Sequence, residues 1–315
     1  IIMKELIGKK ILIIGASGQI GIELLNQLKD LDCHITAVRN SRWDKTNVPN
    51  ISYINFDLCS VSNDKLKNII LNHDYIFHLA GNTSVACKKE EEFDYYLGWV
   101  EPLQKILEFM IDTDNVLVFA SSATVYGVNP ELPVTELTYE NPQTAYDLAK
   151  LSCDNLIKYY KDFYKVRCVS LRFSNVYGPM TSSGQNSRRA LNKIVDIIHE
   201  KKKITLVGDG SYSRNYIHVY DAAAMIIYSG NNILETTSIL LACSNENMMF
   251  KEVIGELVNA YEKKFMTKIK ITFGLPSNFI TDERSFSAKP SNFFINNFKF
   301  KYDIKKGFEE IINLQ

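Results

Sequence analysis

No stretch of this 315-residue chain stays apolar over the roughly 18–20 residues a membrane helix needs, so no helical membrane span is expected. Excess charge is missing too: 36 basic residues balance 36 acidic ones, for a formal net charge of zero. Without a positive surplus to displace counterions from phosphate, the composition argues against a nucleic-acid binder working by bulk electrostatics. Cysteine is sparse and scattered: Cys33, Cys59, Cys87, Cys153, Cys168 and Cys243 form no CxxC pair. His73 and His78 flank one apolar run without metal-ligand spacing, so a capping or core role is expected and no metal. The first apolar run, Ile11–Ile14, breaks at once into glycine, unlike a secretory leader. A reduced, cytoplasmic setting is therefore expected. What is present is a globular composition, 46% hydrophobic and 23% charged, at a length that suits two domains.

The first half alternates two periods. Short apolar runs rich in β-branched residues occur at Lys10–Ile14, His34–Val38, Ile51–Phe56, Tyr75–Leu79, Val116–Phe119 and Arg167–Arg172. Helical spacing separates several of them, at Ile20–Leu28, Val100–Ile111 and Ala145–Tyr160. Continuous apolar strands joined by helical crossovers predict a doubly wound, parallel α/β sheet of Rossmann type. Residues 1–174 are expected to form this dinucleotide-binding domain. Residues 175–315 are expected to form a smaller mixed α/β substrate region, with about 213–230 returning to the first domain. There, helices are read near Arg189–Glu200, Asp221–Tyr228 and Lys251–Tyr261, strands near Ile204–Val207 and Ile269–Phe273, and a long loop over Pro276–Pro290.

Gly15-Ala16-Ser17-Gly18-Gln19-Ile20-Gly21 follows the first strand and opens the first helix. Gly15 permits a tight turn, Gly18 lets backbone N–H groups approach a pyrophosphate, and Gly21 allows close helix packing, with the helix N-terminus facing the anion. An acidic residue at the end of the second strand would bind the adenosine ribose and repel a 2′-phosphate. Here that strand runs into Arg39-Asn40-Ser41-Arg42, and guanidinium forks suit phosphate. NADP(H) is thus favoured over NAD(H), which stays possible. Asp57 and Leu58, ending the third strand, are placed to meet the adenine, although Asp57 also suits a turn cap.

Tyr146 and Lys150 lie four apart at the start of a helix, so phenol and ammonium share a face. A nearby positive charge favours tyrosinate and makes the phenol a usable acid/base near neutrality. Tyr302 and Lys306 share that spacing but lack an upstream hydroxyl at a strand end, and are read as surface. The first pair has Ser122, in Ser121–Gly127 beyond the carboxyl end of a buried strand, where open α/β sheets bind ligands.

Taken in order, the Gly15–Gly21 turn, His78-Leu79-Ala80, Ser121–Gly127, Tyr146/Lys150, Leu171–Pro179, and Arg214–Val219 before Asp221 resemble the extended short-chain dehydrogenase/reductase family, of epimerase/dehydratase type. Its members mostly act on nucleotide sugars. The resemblance implies Ser122, Tyr146 and Lys150 as a catalytic triad, with Lys150 also holding the nicotinamide ribose. It implies Ala80 and Ser174 at the cofactor. Thr124, Asn175, Arg214 and Arg284 would contact a nucleotide-diphospho-sugar, the two arginines clamping its diphosphate. The helices Tyr96–Met110 and Ala145–Tyr160 resemble those through which members pair, so a homodimer is implied.

Two departures stand out. Helices near Tyr95–Leu107 in the family usually carry an asparagine where this chain has Gly98. Nucleotide-sugar 4,6-dehydratases follow the active-site hydroxyl with an Asp-Glu pair; here Ala123-Thr124 supply no group able to exchange a proton with carbon, so dehydration is not expected. The reading that remains is hydride transfer at C4 of the sugar, as a 4-keto reductase or 4-dehydrogenase. A 4-epimerase with bound NAD is the alternative, because Ser121–Gly127 is similar to the run in UDP-galactose 4-epimerases. A non-catalytic NADP-sensing regulator is disfavoured by retention of Ser122, Tyr146 and Lys150.

Overall fold

The computed structural model describes residues 4–39, 51–81, 88–128, 130–179, 190–274 and 285–314. The chain starts with β1 (Lys10–Ile14), α1 (Gln19–Leu28), β2 (His34–Arg39), β3 (Ile51–Asn55), α2 (Asn63–Leu71) and β4 (Tyr75–His78). Then come α3 (Glu92–Phe109), β5 (Val116–Ser122), α4 (Ala145–Tyr164), β6 (Arg167–Phe173), β7 (Asn175–Tyr177), α5 (Ala190–Lys201), β8 (Lys203–Val207) and β9 (Ser213–His218). The last part holds α6 (Val219–Asn231), β10 (Ile239–Ala242), β11 (Asn247–Met249), α7 (Phe250–Phe265), β12 (Lys270–Gly274), α8 (Asn292–Asn297) and α9 (Ile304–Asn313).

Seven strands form one sheet in the order β10-β6-β5-β4-β1-β2-β3, and every neighbouring pair is parallel. This is the doubly wound Rossmann-type sheet the sequence predicts. Successive residues of a strand point to opposite faces, and β1 shows both being covered. Ile11 and Ile13 join Leu24 and Leu25 of α1 and Ala222 and Ile226 of α6 in one core. Leu12 and Ile14 join Leu66, Leu103, Ala149 and Ile157 of α2, α3 and α4 in the other. The strand order turns between β1 and β4, where doubly wound sheets open a crevice for ligands.

Beyond β6 the chain builds two small sheets, β11-β9-β7 and β12-β8. A separate apolar core beside them joins Leu191 and Val195 of α5, Val253 and Leu257 of α7, and Phe308 and Ile312 of α9. The chain also returns to the large sheet: α6 packs against α1, and β10 adds a strand beside β6. That strand is only four residues long, and the sequence pattern gave no sign of it. Helix α2 also escaped the periodicity, because only Leu66 and Ile70 of its polar sequence are buried. Helix α3 starts at Glu92, two turns before the predicted Val100, so Pro102 lies in its interior.

Candidate active site

The parallel order places the carboxyl ends of β6, β5, β4, β1, β2 and β3 side by side, and most of the sequence-predicted site residues follow them. Ser122 closes β5 and Thr124 stands one turn on; their hydroxyl oxygens are 3.0 Å apart, and the Thr124 N–H donates to Ser122 Oγ at 3.3 Å. Tyr146 and Lys150 both lie in the first turns of α4. That helix is fixed by a capping box: Thr144 Oγ1 accepts from the Asp147 N–H, and Asp147 Oδ2 accepts from the Thr144 N–H.

Lys150 is buried beside β5, where its ammonium donates to the Ala120 carbonyl at 2.6 Å. The same Nζ lies 3.5 Å from the centre of the Trp99 ring, 4.6 Å from that of Phe119 and 5.8 Å from that of Tyr146. Burial pushes the Lys150 ammonium down from 10.5 to about 7, against opposing pulls from Cys153 and Asp154. His78, at the end of β4, is fully buried; desolvation, aided by the Lys150 charge, lowers it to about 3, so the imidazole is neutral.

The glycine turn suits a dinucleotide pyrophosphate. Gly15 has φ +90°, and a Cβ there would lie 2.6 Å from the Ala80 nitrogen, so β1 and β4 approach as closely as backbone allows. At Gly18, the N-cap of α1, no side chain caps the helix, and the first turn carries no acidic residue. Its N-terminal N–H groups and positive dipole end thus meet no anion from the helix's own cap or first turn. Gly21 packs on the turn itself, where a Cβ would meet the Gly15 carbonyl oxygen at 2.4 Å. Ser17 and Ile20 lie within this turn and helix start. Gln19 donates from Nε2 to the carbonyls of Gly178 and Pro179 at 3.1 and 3.4 Å, tying the turn to the segment after β7.

Arg39 ends β2 as expected, but its guanidinium is engaged by protein: Nε donates to Asn55 Oδ1 at 3.0 Å and the group lies 4.6 Å over the Tyr53 ring. Asn40, Arg42 and Arg284 fall outside the described residues. Asp57 Oδ1 accepts from the Cys59 N–H at 3.0 Å, which is a turn cap, and Leu58 packs half-buried on the core under α2 and α3. Ser174 and Asn175 follow β6. Arg214 sits apart from the triad's helix, on β9 of a small sheet, 4.5 Å over the Tyr212 ring and donating to the Ser213 carbonyl at 3.0 Å. Among the described residues no cluster of His, Cys, Asp or Glu is placed to hold a metal. His73 instead bridges the Ile69 carbonyl at 2.7 Å and Thr36 Oγ1 at 2.8 Å.

Two residues near the site were not singled out by the sequence. Asn215 is fully buried, and its Oδ1 accepts from Ser174 Oγ at 2.7 Å and the Ser244 N–H at 3.2 Å. Its Nδ2 lies 3.0 Å from Ser244 O, Glu246 O and Asn247 Oδ1, and its carbonyl accepts from Asn175 Nδ2 at 3.2 Å. The other is Trp99. A Cβ at Gly98, the expected departure, would meet only Cys59 Sγ at 3.7 Å; it is the next residue whose ring touches Lys150 and Tyr146. Tryptophan's scarcity, two in the chain, was the available signal.

Comparison with known proteins agrees with this architecture. The family model described as "NAD dependent epimerase/dehydratase family" matches residues 11–238. A Bacillus subtilis (strain 168) protein named "Uncharacterized UDP-glucose epimerase YtcB" is 29% identical over 227 residues, 67% of this chain and 69% of that one. The fold is similar to that of a UDP-N-acetylglucosamine 4-epimerase from Methanobrevibacter ruminantium M1 (TM-score 0.84, 24% identity, 98% of each chain). It is also similar to that of a UDP-glucuronic acid 4-epimerase from Bacillus cereus solved in complex with NAD (TM-score 0.77, 20% identity, 96% of this chain and 95% of that one).

Proposed function

Because this chain belongs to the NAD dependent epimerase/dehydratase family, we propose that it is an NAD-dependent 4-epimerase of a UDP-sugar. The observation that carries the reading is the grouping of Ser122, Tyr146 and Lys150 around the carboxyl end of β5, beside an uncapped glycine turn at the sheet's switch point. A nicotinamide dinucleotide bound along that edge would supply hydride removal from C4 of the sugar and its return. Tyr146 takes the proton from the C4 hydroxyl and gives it back. Ser122, oriented by Thr124, donates a hydrogen bond to the same sugar oxygen. The Lys150 charge lies close enough to favour the ionised phenol.

The epimerase reading replaces the sequence expectation of a net oxidoreductase, because the relatives and structural neighbours reported above are named as epimerases of UDP-sugars. NAD replaces NADP for two reasons. Arg39 already pairs with Asn55 and Tyr53, and the Bacillus cereus neighbour was solved with NAD. Gly15–Gly21, Ala80, Asp57, Leu58 and Ser174 are assigned to the cofactor, and Asn175, Arg214 and Arg284 to the sugar nucleotide. Exposed Phe93 on α3 and Leu148, Tyr159 and Phe163 on α4 support homodimer pairing through those helices.

The test is to incubate the protein with NAD and a panel of UDP-sugars and to follow the C4 configuration by NMR. The expected result is an equilibrium mixture of C4 epimers with no net NADH formed. Stoichiometric production or consumption of reduced nicotinamide would replace this reading with a net dehydrogenase or reductase, and a 4-keto-6-deoxy product would replace it with the dehydratase that Ala123-Thr124 argue against.

A further inference from the structure

Lys150 is enclosed on three sides by groups that the catalytic triad alone does not explain. Its ammonium is 3.5 Å from the Trp99 ring centre and donates to the Ala120 carbonyl, with Phe119 4.6 Å away. Trp99 is itself fixed. It is 2% exposed and meets Tyr146 edge to face at 6.1 Å and Phe119 at 6.4 Å. Its ring also lies on Gly81, where any Cβ would be 2.0 Å from it. The backbone beneath contributes as well. Pro102 has no N–H to give the Gly98 carbonyl, and the Cys59 thiol lies 3.9 Å from that oxygen instead. A tryptophan chosen only to fill a core needs no ammonium on its face; cation–π attraction is strongest when both partners are dehydrated, as here.

We infer that Trp99 is a positioning residue: its indole face and the Ala120 carbonyl clamp the Lys150 ammonium beside Tyr146 and fix the charge against which the phenol works. This rests on the reading of Tyr146 and Lys150 as the acid/base pair. The clamp makes the Lys150 proton depend on the aromatic face, so removing that face releases the proton at lower pH while the burial that already depresses it persists.

Two measurements test it. Trp43→Phe leaves Trp99 as the chain's single tryptophan. Its emission, followed without substrate from about pH 5 to about pH 10, where His78 at about 3 stays neutral, is expected to show a change with a midpoint well below lysine's ordinary value. Tyr146→Phe, which removes the other titrating ring against the indole, should leave that change in place. That change should vanish when Lys150→Met is added. In turnover, Trp99→Leu keeps the site apolar but removes the π face. It is expected to lower kcat about tenfold with KM within about twofold, and to shift the alkaline limb of the pH profile to lower pH. Trp99→Phe should restore most of both. Emission that ignores Lys150→Met, or a Trp99→Leu variant with the parent's pH profile and only reduced stability, would make Trp99 a packing residue and overturn the inference. A pH-dependent emission in a protein that turns over no sugar nucleotide would support the clamp and refute the function proposed above, so the two fail separately.

Discussion

Tyr146 and Lys150 both lie inside α4, so the helix itself carries the phenol and the ammonium on one face. Tyr302 and Lys306 have the same separation, yet Tyr302 precedes Asp303, the N-cap of α9, and only Lys306 is helical. The surroundings differ more than the backbone. Lys150 is buried among aromatic rings and a carbonyl, whereas Lys306 is exposed and donates to the Lys301 carbonyl at 3.1 Å. Tyr302 is not the plain surface residue the sequence suggested: its ring stacks on His218 at 3.9 Å and its hydroxyl donates to Glu310 Oε1 at 3.2 Å. Burial and that carboxylate push the Tyr302 phenol up to about 12, away from any acid/base use near neutrality. The sequence interval and a nearby ammonium are common to both, since Lys306 Nζ lies 4.8 Å from the Tyr302 ring and Lys150 Nζ 5.8 Å from that of Tyr146; burial of the ammonium and a carboxylate on the phenol separate them.

Activity gives the widest separation. Tyr146→Phe is expected to reduce C4 epimerisation about a thousandfold, within the range for loss of a general acid/base, while Tyr302→Phe stays within about twofold. Equal losses would dissolve the distinction. Stability against pH separates the lysines. The folded-state value of Lys150 lies below its unfolded value, so in between the unfolded chain binds more protons and stability from this group rises with pH. Lys150→Met is therefore expected to be more stable than the parent near pH 7, an advantage that shrinks by up to about 1.4 kcal/mol per pH unit toward pH 10 in denaturant titrations. Lys306→Met, at an exposed residue, should change stability by no more than about 0.5 kcal/mol. The smallest effect concerns Tyr302 alone: Glu310→Gln should lower its ionisation, read by ultraviolet absorbance, from about 12 part of the way toward 10, with burial holding the rest.

Six of the seven strands of the large sheet were readable, most plainly β1 and β4, which are buried on both faces and so appear as the apolar runs 11–14 and 75–77. The glycine turn was readable because each glycine has a steric task at a fixed place. Of the two small sheets, β8 and β12 lie where the sequence pattern put strands, but β11-β9-β7 was not readable, since β7 and β11 are three residues each and rest on the side chain of Asn215, whose hydrogen bonds join segments far apart in the chain. A single asparagine carries no periodicity to announce such a role. Trp99 was missed for a different reason: a helix interrupted by Pro102 does not reveal which of two neighbouring residues it turns inward.

The position of β10 has a consequence for cutting the gene. A fragment stopped after β6 would keep the glycine turn and both Tyr146 and Lys150 of α4, and would look complete by motif. It would also leave β6 as a bare sheet margin, its unpaired amides open to another chain, and would strip α6 from the apolar side of α1. Such a truncate is expected to self-associate rather than fold as a free nucleotide-binding half. The final third of the polypeptide thus closes the margin of the sheet at β6 and covers α1.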